Sequence, residues 1–220
     1  MTPEIWPVIH LDTPGLAFVN AAIAFNAGCD GVFVIHMNGG DELVTPVASE
    51  IKRMWPDKKV GVNYLTMNAF DGLRRAEKNL FDAYWTDESG VRSDGVEEVA
   101  RNVQWFLSIC RPILFFGSVA FKYQKSDPDP SMAAERATRL GMIPTTSGSA
   151  TGKAPPVEKV KMMREFIQHR PLALASGVTP ENVLSLAPYV SHILVSTGIS
   201  KSFFEFDADK LKALVEELRD

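Results

Sequence analysis

Three pieces of one stretch decide the fold: Thr145-Thr146-Ser147-Gly148-Ser149-Ala150-Thr151-Gly152, Leu174-Ala175-Ser176-Gly177-Val178-Thr179-Pro180-Glu181-Asn182, and Ile193-Leu194-Val195-Ser196-Thr197-Gly198-Ile199. Each ends an apolar strand-like run in small hydroxyl residues and glycine. Small residues let backbone N–H groups approach an anion, and glycine takes the backbone angles such a turn needs. A helix is expected after each turn, and its N-terminus adds partial positive charge at the same end. Strand–turn–helix units of this kind, repeated late in a β/α chain, match the phosphate end of a closed barrel. Ordinary βα turns also favour Gly, Ser and Thr, so the pairing of the turns at Gly177 and Gly198 carries more weight than either one.

The same alternation runs back to the start of the chain. Strands are expected at Trp6 to Leu11, Gly31 to His36, Lys59 to Leu65, Phe81 to Thr86, Pro112 to Phe121, Met142 to Thr146, Pro171 to Ser176 and His192 to Ser196. The run at Phe81 is the weakest. Helices are expected at Thr13 to Ala27, Asp41 to Trp55, from the Asn68 cap to Leu80, Val96 to Cys110, Ser131 to Leu140, Pro155 to His169, Pro180 to Ala187 with Thr179 as cap, and Asp207 to Leu218. Pro14 suits a first helical position, and Gly28 and Gly141 suit helix ends. Asp87 to Gly95 is the most polar loop, and Lys122 to Pro130 is too rich in proline to be regular. Units of roughly 25 to 30 residues recur without a linker or low-complexity break. The strands are nearly all apolar, as in a sheet covered on both faces, and none is plainly an edge. Together these features predict one domain over 1–220, α/β in class: a closed (β/α)₈ TIM barrel.

Composition narrows the partners. The chain has 220 residues, 45% hydrophobic and 23% charged, enough for one full-sized core. A net charge of -4 gives no general attraction to nucleic acid or to an anionic membrane, so an anion has to be held by local geometry. No basic region precedes a long apolar run, so a cytoplasmic location and no membrane partner are expected. Cys29 and Cys110 lack metal or redox spacing and read as buried free thiols.

In such a barrel the site lies where strands end and helices begin. That rule selects His10 after the first strand, His36 after the second, Asn63 on the third, Asp87 with Glu88 after the fourth, and Lys122 after the fifth. Thr146 and Ser147 end the sixth. Bases, an acid, an amine and an amide in one ring suit proton transfer or carbonyl chemistry. His169 and His192 fall at the opposite, N-terminal ends of strands and read as structural. No close ligand spacing points to a metal, and no cofactor is expected.

Several segments, taken in order, resemble the BtpA family of the ribulose-phosphate-binding barrels. They are Val8-Ile9-His10-Leu11 with Pro14-Gly15, Asp30-Gly31-Val32-Phe33-Val34, Val60-Gly61-Val62-Asn63-Tyr64-Leu65, Phe121-Lys122, Ser147 to Pro156, and Ser176 to Val183. Gly148 to Pro156 is the most specific piece. Ser176 to Val183 is also similar to phosphoribosylanthranilate isomerase and other phosphate-binding barrels. The chain departs from the family pattern at Trp85-Thr86-Asp87, where an asparagine-containing segment is usual, and at Lys122-Tyr123, where a lysine–histidine pair is usual. The resemblance implies the barrel fold. The late glycine turns and the ring of candidate residues, set on that fold, support two functional expectations. One is isomerase or lyase chemistry on a phosphorylated small molecule such as a sugar phosphate or phosphoribosyl compound, with Gly148, Gly177, Val178, Thr197 and Gly198 on the phosphate. The other is a non-catalytic assembly or regulatory factor that keeps the barrel. A homo-oligomer is compatible with either.

Overall fold

Each apolar run pairs in parallel with its sequence neighbour, and the last pairs with the first, so no edge is left. In the computed structural model, which describes residues 2–219, the strands are β1 (Glu4–His10), β2 (Gly31–Ile35), β3 (Lys59–Asn63), β4 (Ala83–Thr86), β5 (Leu114–Ser118), β6 (Ile143–Thr146), β7 (Ala173–Ala175) and β8 (His192–Val195). They close into a single eight-stranded barrel in chain order, with Glu4 to Pro7 in register with His192 to Val195. The helices are α1 (Pro14–Asn26), α2 (Asp41–Met54), α3 (Ala69–Lys78), α4 (Glu98–Leu107), α5 (Pro130–Arg139), α6 (Val157–Ile167), α7 (Val183–Leu186) and α8 (Ala208–Arg219). This is the (β/α)₈ TIM barrel expected from the sequence.

Alternation along the strands makes two cores from one sheet. Ile5 and Ile9, Val32 and Val34, and Val60 and Val62 face outward and pack with the helices. Trp6 and Val8, Phe33 and Ile35, Ala83 and Trp85, Phe116, Ile143, Ala173 and Ala175, and Leu194 form a separate apolar cluster inside the barrel. Phe33 lies 5.2 Å from Trp6 and 5.3 Å from Phe116, centroid to centroid, so tilted and edge-on rings fill the lumen.

Local signals explain most boundaries. Thr13 caps α1 through its Oγ1, and Asn68 caps α3 by accepting from the amides of Phe70 and Asp71. Asp129 accepts from Met132 ahead of Pro130, so α5 begins at the proline. The weak fourth strand forms and pairs with both neighbours. Three expectations need correction. The helix expected over Pro180 to Ala187 is one turn followed by a 3₁₀ turn at Ala187–Tyr189, and Thr179 does not cap it. Asn182 instead accepts from the Thr179 amide and donates to the Gly177 carbonyl, so its amide builds the turn before the helix. The polar loop after β4 contains a short hairpin, Val91–Arg92 against Gly95–Val96. Of the two cysteines, Cys29 is buried, with burial pushing its thiol up to about 12, but Cys110 is partly exposed.

His192 lies at the N-terminal end of β8, beside Ser191 and 3.9 Å from a Glu4 carboxylate oxygen, at the opposite end of the strands from the candidate site. No helix among the described residues is long and apolar enough to cross a membrane.

Candidate active site at the C-terminal mouth of the barrel

Strand register decides which candidate residues meet. His10 pairs with Ile35, and Ile35 pairs with Asn63, so the three share one layer. Ile35 belongs to the lumen cluster, and His10 and Asn63, at the same level, are 8% and 1% exposed. His36 is one residue beyond Ile35. A single step along a strand changes the face, and His36 turns out of the lumen. Its Nδ1 accepts the Gly40 amide at 2.9 Å and holds the turn into α2. His36 is therefore not brought together with the other candidates.

Asp87 stands at the end of β4, two residues past the inward Trp85. Its Oδ1 accepts from Asn63 Nδ2 at 3.1 Å. Burial pushes the Asp87 carboxyl above the ordinary aspartate value, against the opposing pull of Lys122 and of the Asn63 hydrogen bond. Asn63 Oδ1 is buried with no partner among the described residues. Glu88, the other acid of the pair, is exposed, and its carboxyl is raised by burial and by the neighbouring Asp87 and Glu97.

Lys122 reaches across the mouth. Its Nζ donates to Ser176 Oγ at 3.1 Å and to Thr151 Oγ1 at 3.3 Å, and its own amide donates to Ser147 Oγ at 2.8 Å. Burial lowers its ammonium from the usual lysine value, while Asp87 opposes the shift. An acid raised and an amine lowered in one place bring their proton affinities toward each other, the condition for proton transfer near neutrality.

His10 completes the set. Its Nδ1 lies 3.0 Å from the Phe203 carbonyl. A carbonyl only accepts, so Nδ1 carries the proton and Nε2 of the neutral ring has a free lone pair. Burial, aided by the Lys122 charge, pushes the imidazole below its ordinary value, although the bond to Phe203 opposes this. The Phe203 ring covers the imidazole at 4.3 Å between centroids.

The turns after β7 and β8 converge. A Cβ added at Gly198 would lie 1.8 Å from the Val178 carbonyl oxygen, so only a glycine permits that approach. Gly177 has φ +74, and a Cβ there would lie 1.9 Å from the Ala154 nitrogen. Among the described residues, the amides of Gly177, Val178, Thr197 and Gly198 donate to no protein acceptor. Four N–H groups without a protein partner thus lie on two touching turns. Gly148, like Gly177, has the Lys153 and Ala154 backbone laid against it. The segment 149–154 thus lies over the turns. A half-open space of about 30 Å³, room for about two water molecules, lies among His10, Trp85, Lys122, Thr151, Ser176 and Thr197.

Ser176 and Thr151, the hydroxyl partners of Lys122, were not singled out from the sequence, and neither was Phe203. The backbone marks Ser176 and two positions beside Lys122. Ala120, Tyr123 and Ser176 have φ of 45, 65 and 77 without being glycine, and all three follow strands at this mouth. Strained backbone of this kind concentrates at functional sites. Sequence carries no signal for a positive φ at alanine or serine.

No family model matches the chain, and no curated protein matches it. Solved structures do. A phosphoribosyl anthranilate isomerase from Thermotoga maritima superposes with a TM-score of 0.71 at 16% identity, covering 99% of this chain and 98% of that one. A protein described as native KDPGal gives 0.71 at 14% identity, covering 98% and 94%. A thiamine phosphate pyrophosphorylase from Pyrococcus furiosus gives 0.66 at 13% identity, covering 99% and 97%. At these identities the likeness is one of fold, over the whole length of the barrel.

Proposed function

We propose that the chain is an enzyme acting on a phosphorylated small molecule, a sugar phosphate or phosphoribosyl-type compound, by isomerase or lyase chemistry. The observation that carries this reading is the meeting, at one mouth, of four unpartnered amides with Asp87, Lys122 and His10. Gly177, Val178, Thr197 and Gly198 hold the phosphate through N–H groups, with Gly148 alongside. Two of the fold neighbours above are named for phosphorylated compounds, which supports the same ligand class. The sequence resemblance to the BtpA family and a cytoplasmic location belong to the same reading.

The chemistry then follows from the protonation states. Asp87 as carboxylate takes a proton from the carbon beside a substrate carbonyl. Lys122 as ammonium donates to the carbonyl oxygen as negative charge builds there, giving an enol-type intermediate. Return of the proton from Asp87 to the neighbouring carbon, with the hydroxyl on the first carbon giving its proton to the Lys122 amine, completes an isomerisation; loss of a leaving group, with the enol proton passing back to Lys122, completes an elimination. His10 Nε2 accepts from a substrate hydroxyl and fixes its orientation. Asn63 positions Asp87.

Thermal denaturation with ribose 5-phosphate and related sugar phosphates at millimolar concentration tests the reading. A ligand present at about a hundred times its Kd raises stability by about 2.7 kcal/mol, a clear rise in Tm. G198A is expected to abolish the rise, since its Cβ forces the two turns apart. No rise with any sugar phosphate in the wild type would overturn the assignment.

A further inference from the structure

A second cleft opens beside the mouth, between the loop after β5 and the loop after β6. It has a volume of about 420 Å³, within the size range of small-molecule sites, and Lys122 lines both it and the smaller space at the mouth. Its walls carry Lys122, Lys125 and Lys159, and Asp127 is the single carboxylate among them. That carboxylate is already committed: Oδ2 accepts the Ser93 amide at 3.0 Å and Oδ1 the Asp129 amide at 3.1 Å. Lys159 rises from α6 and donates to the carbonyls of Ala120 at 2.7 Å and Ser147 at 2.9 Å. An ammonium has three N–H groups, so one is left over. Two fixed carbonyls hold that amine at the wall of the cleft, where no carboxylate makes a salt bridge with it among the described residues.

We propose that this cleft binds an oxyanion, phosphate or carboxylate, at the end of the ligand remote from the Gly177 and Gly198 turns. The ligand class is then a small molecule with two anionic groups, lying across Lys122. The inference deepens the functional reading above, which supplies the first phosphate.

Amide chemical shifts of the labelled full chain, followed during titration with inorganic phosphate and separately with acetate, test the two sites apart. Saturable shifts at Gln124, Ser147 and Ser149 are expected with at least one anion, in addition to shifts at Gly177 and Gly198; which anion produces them tells phosphate from carboxylate. Shifts at the cleft alone would support this proposal while removing the phosphate role of the turns. Shifts at the turns alone, or at neither place with either anion, would overturn it. K159Q is expected to weaken the cleft response at least five-fold and leave the turn response intact. Because Lys159 also ties two loops, K125E serves as a second variant at an exposed position, with a several-fold loss expected. A cleft response unchanged in both variants would overturn the proposal. If phosphate produces the cleft shifts, ribulose 1,5-bisphosphate is expected to bind at least ten-fold more tightly than ribulose 5-phosphate, and equal affinities would then count against the proposal.

Discussion

Asp87 combines two demands that pull against each other. Its carboxyl is raised by burial, so the folded chain holds a proton that the unfolded chain has already released. Stability therefore falls as pH rises from the ordinary aspartate range through the raised value, and the full cost of the buried charge is present above it. D87N removes that cost. Its Tm at pH 7 is expected to exceed the wild-type value, by about 2–4 °C for each kcal/mol regained in a chain of this length, while turnover is lost. Thermal denaturation of both proteins at pH 3.5 and pH 7 checks this, and the gap should shrink at the lower pH. The position of Asp87 was legible in the sequence from the rule of strand ends. That His36 stands apart was not legible: in the run from Gly31 to His36 every residue but the last is apolar, so composition hides the parity, and only the pairing of Ile35 with His10 and Asn63 reveals which face is which.

At the level of elements, the loop between β8 and α8 is tied down from α1. Asn20, 1% exposed, donates to the Phe204 carbonyl at 2.7 Å and accepts the Phe206 amide at 3.0 Å. The same loop supplies the Phe203 carbonyl that fixes His10. N20A strips both backbone groups of their partner. It is expected to cost about 2–3 kcal/mol, since an unsatisfied buried amide carries its full desolvation penalty, and to raise the exchange rate of the Phe206 amide. Urea unfolding and hydrogen exchange measure the two effects. Nothing in the sequence points from Asn20 to residues nearly two hundred positions away, because a polar residue on an apolar helix face carries no address. Caps are the opposite case. Thr13 and Asn68 act on amides within three residues, so α1 and α3 begin where the sequence says, whereas Asp129, read as loop, starts α5 one residue before the expected Ser131. Thr179 failed as a cap because Asn182 competes for the same turn with both ends of its amide.

Over the whole molecule, closure of the barrel was the most legible feature, because eight apolar runs without a polar edge leave few other arrangements. The position of the segment 149–154 was not, since Gly152 and the small residues around it permit many paths. Lys159 links the loops at one side of the closed barrel to the pH of the solution. Burial pushes its ammonium down to about 8, below the 10.5 of an unhindered lysine. Between those values the unfolded chain binds a proton that the folded chain does not, so this group makes stability rise with pH. Relative to K159M, the wild-type Tm is expected to climb by about 2–5 °C between pH 7.5 and pH 10, and a constant difference between the two proteins across that range would refute the linkage.

The aromatic filling of the lumen has an optical consequence. Of the four tryptophans, Trp6 and Trp85 stand inside the barrel, and Trp85 also lines the space beside Lys122 and Thr151. Trp105 is 58% exposed on the outer surface. Iodide, which reaches only surface indoles, would silence the outer emission first and leave a blue-shifted signal from within. The protein thus carries its own fluorophore at the doorway, and changes in that residual light would follow the arrival of any molecule there without a label.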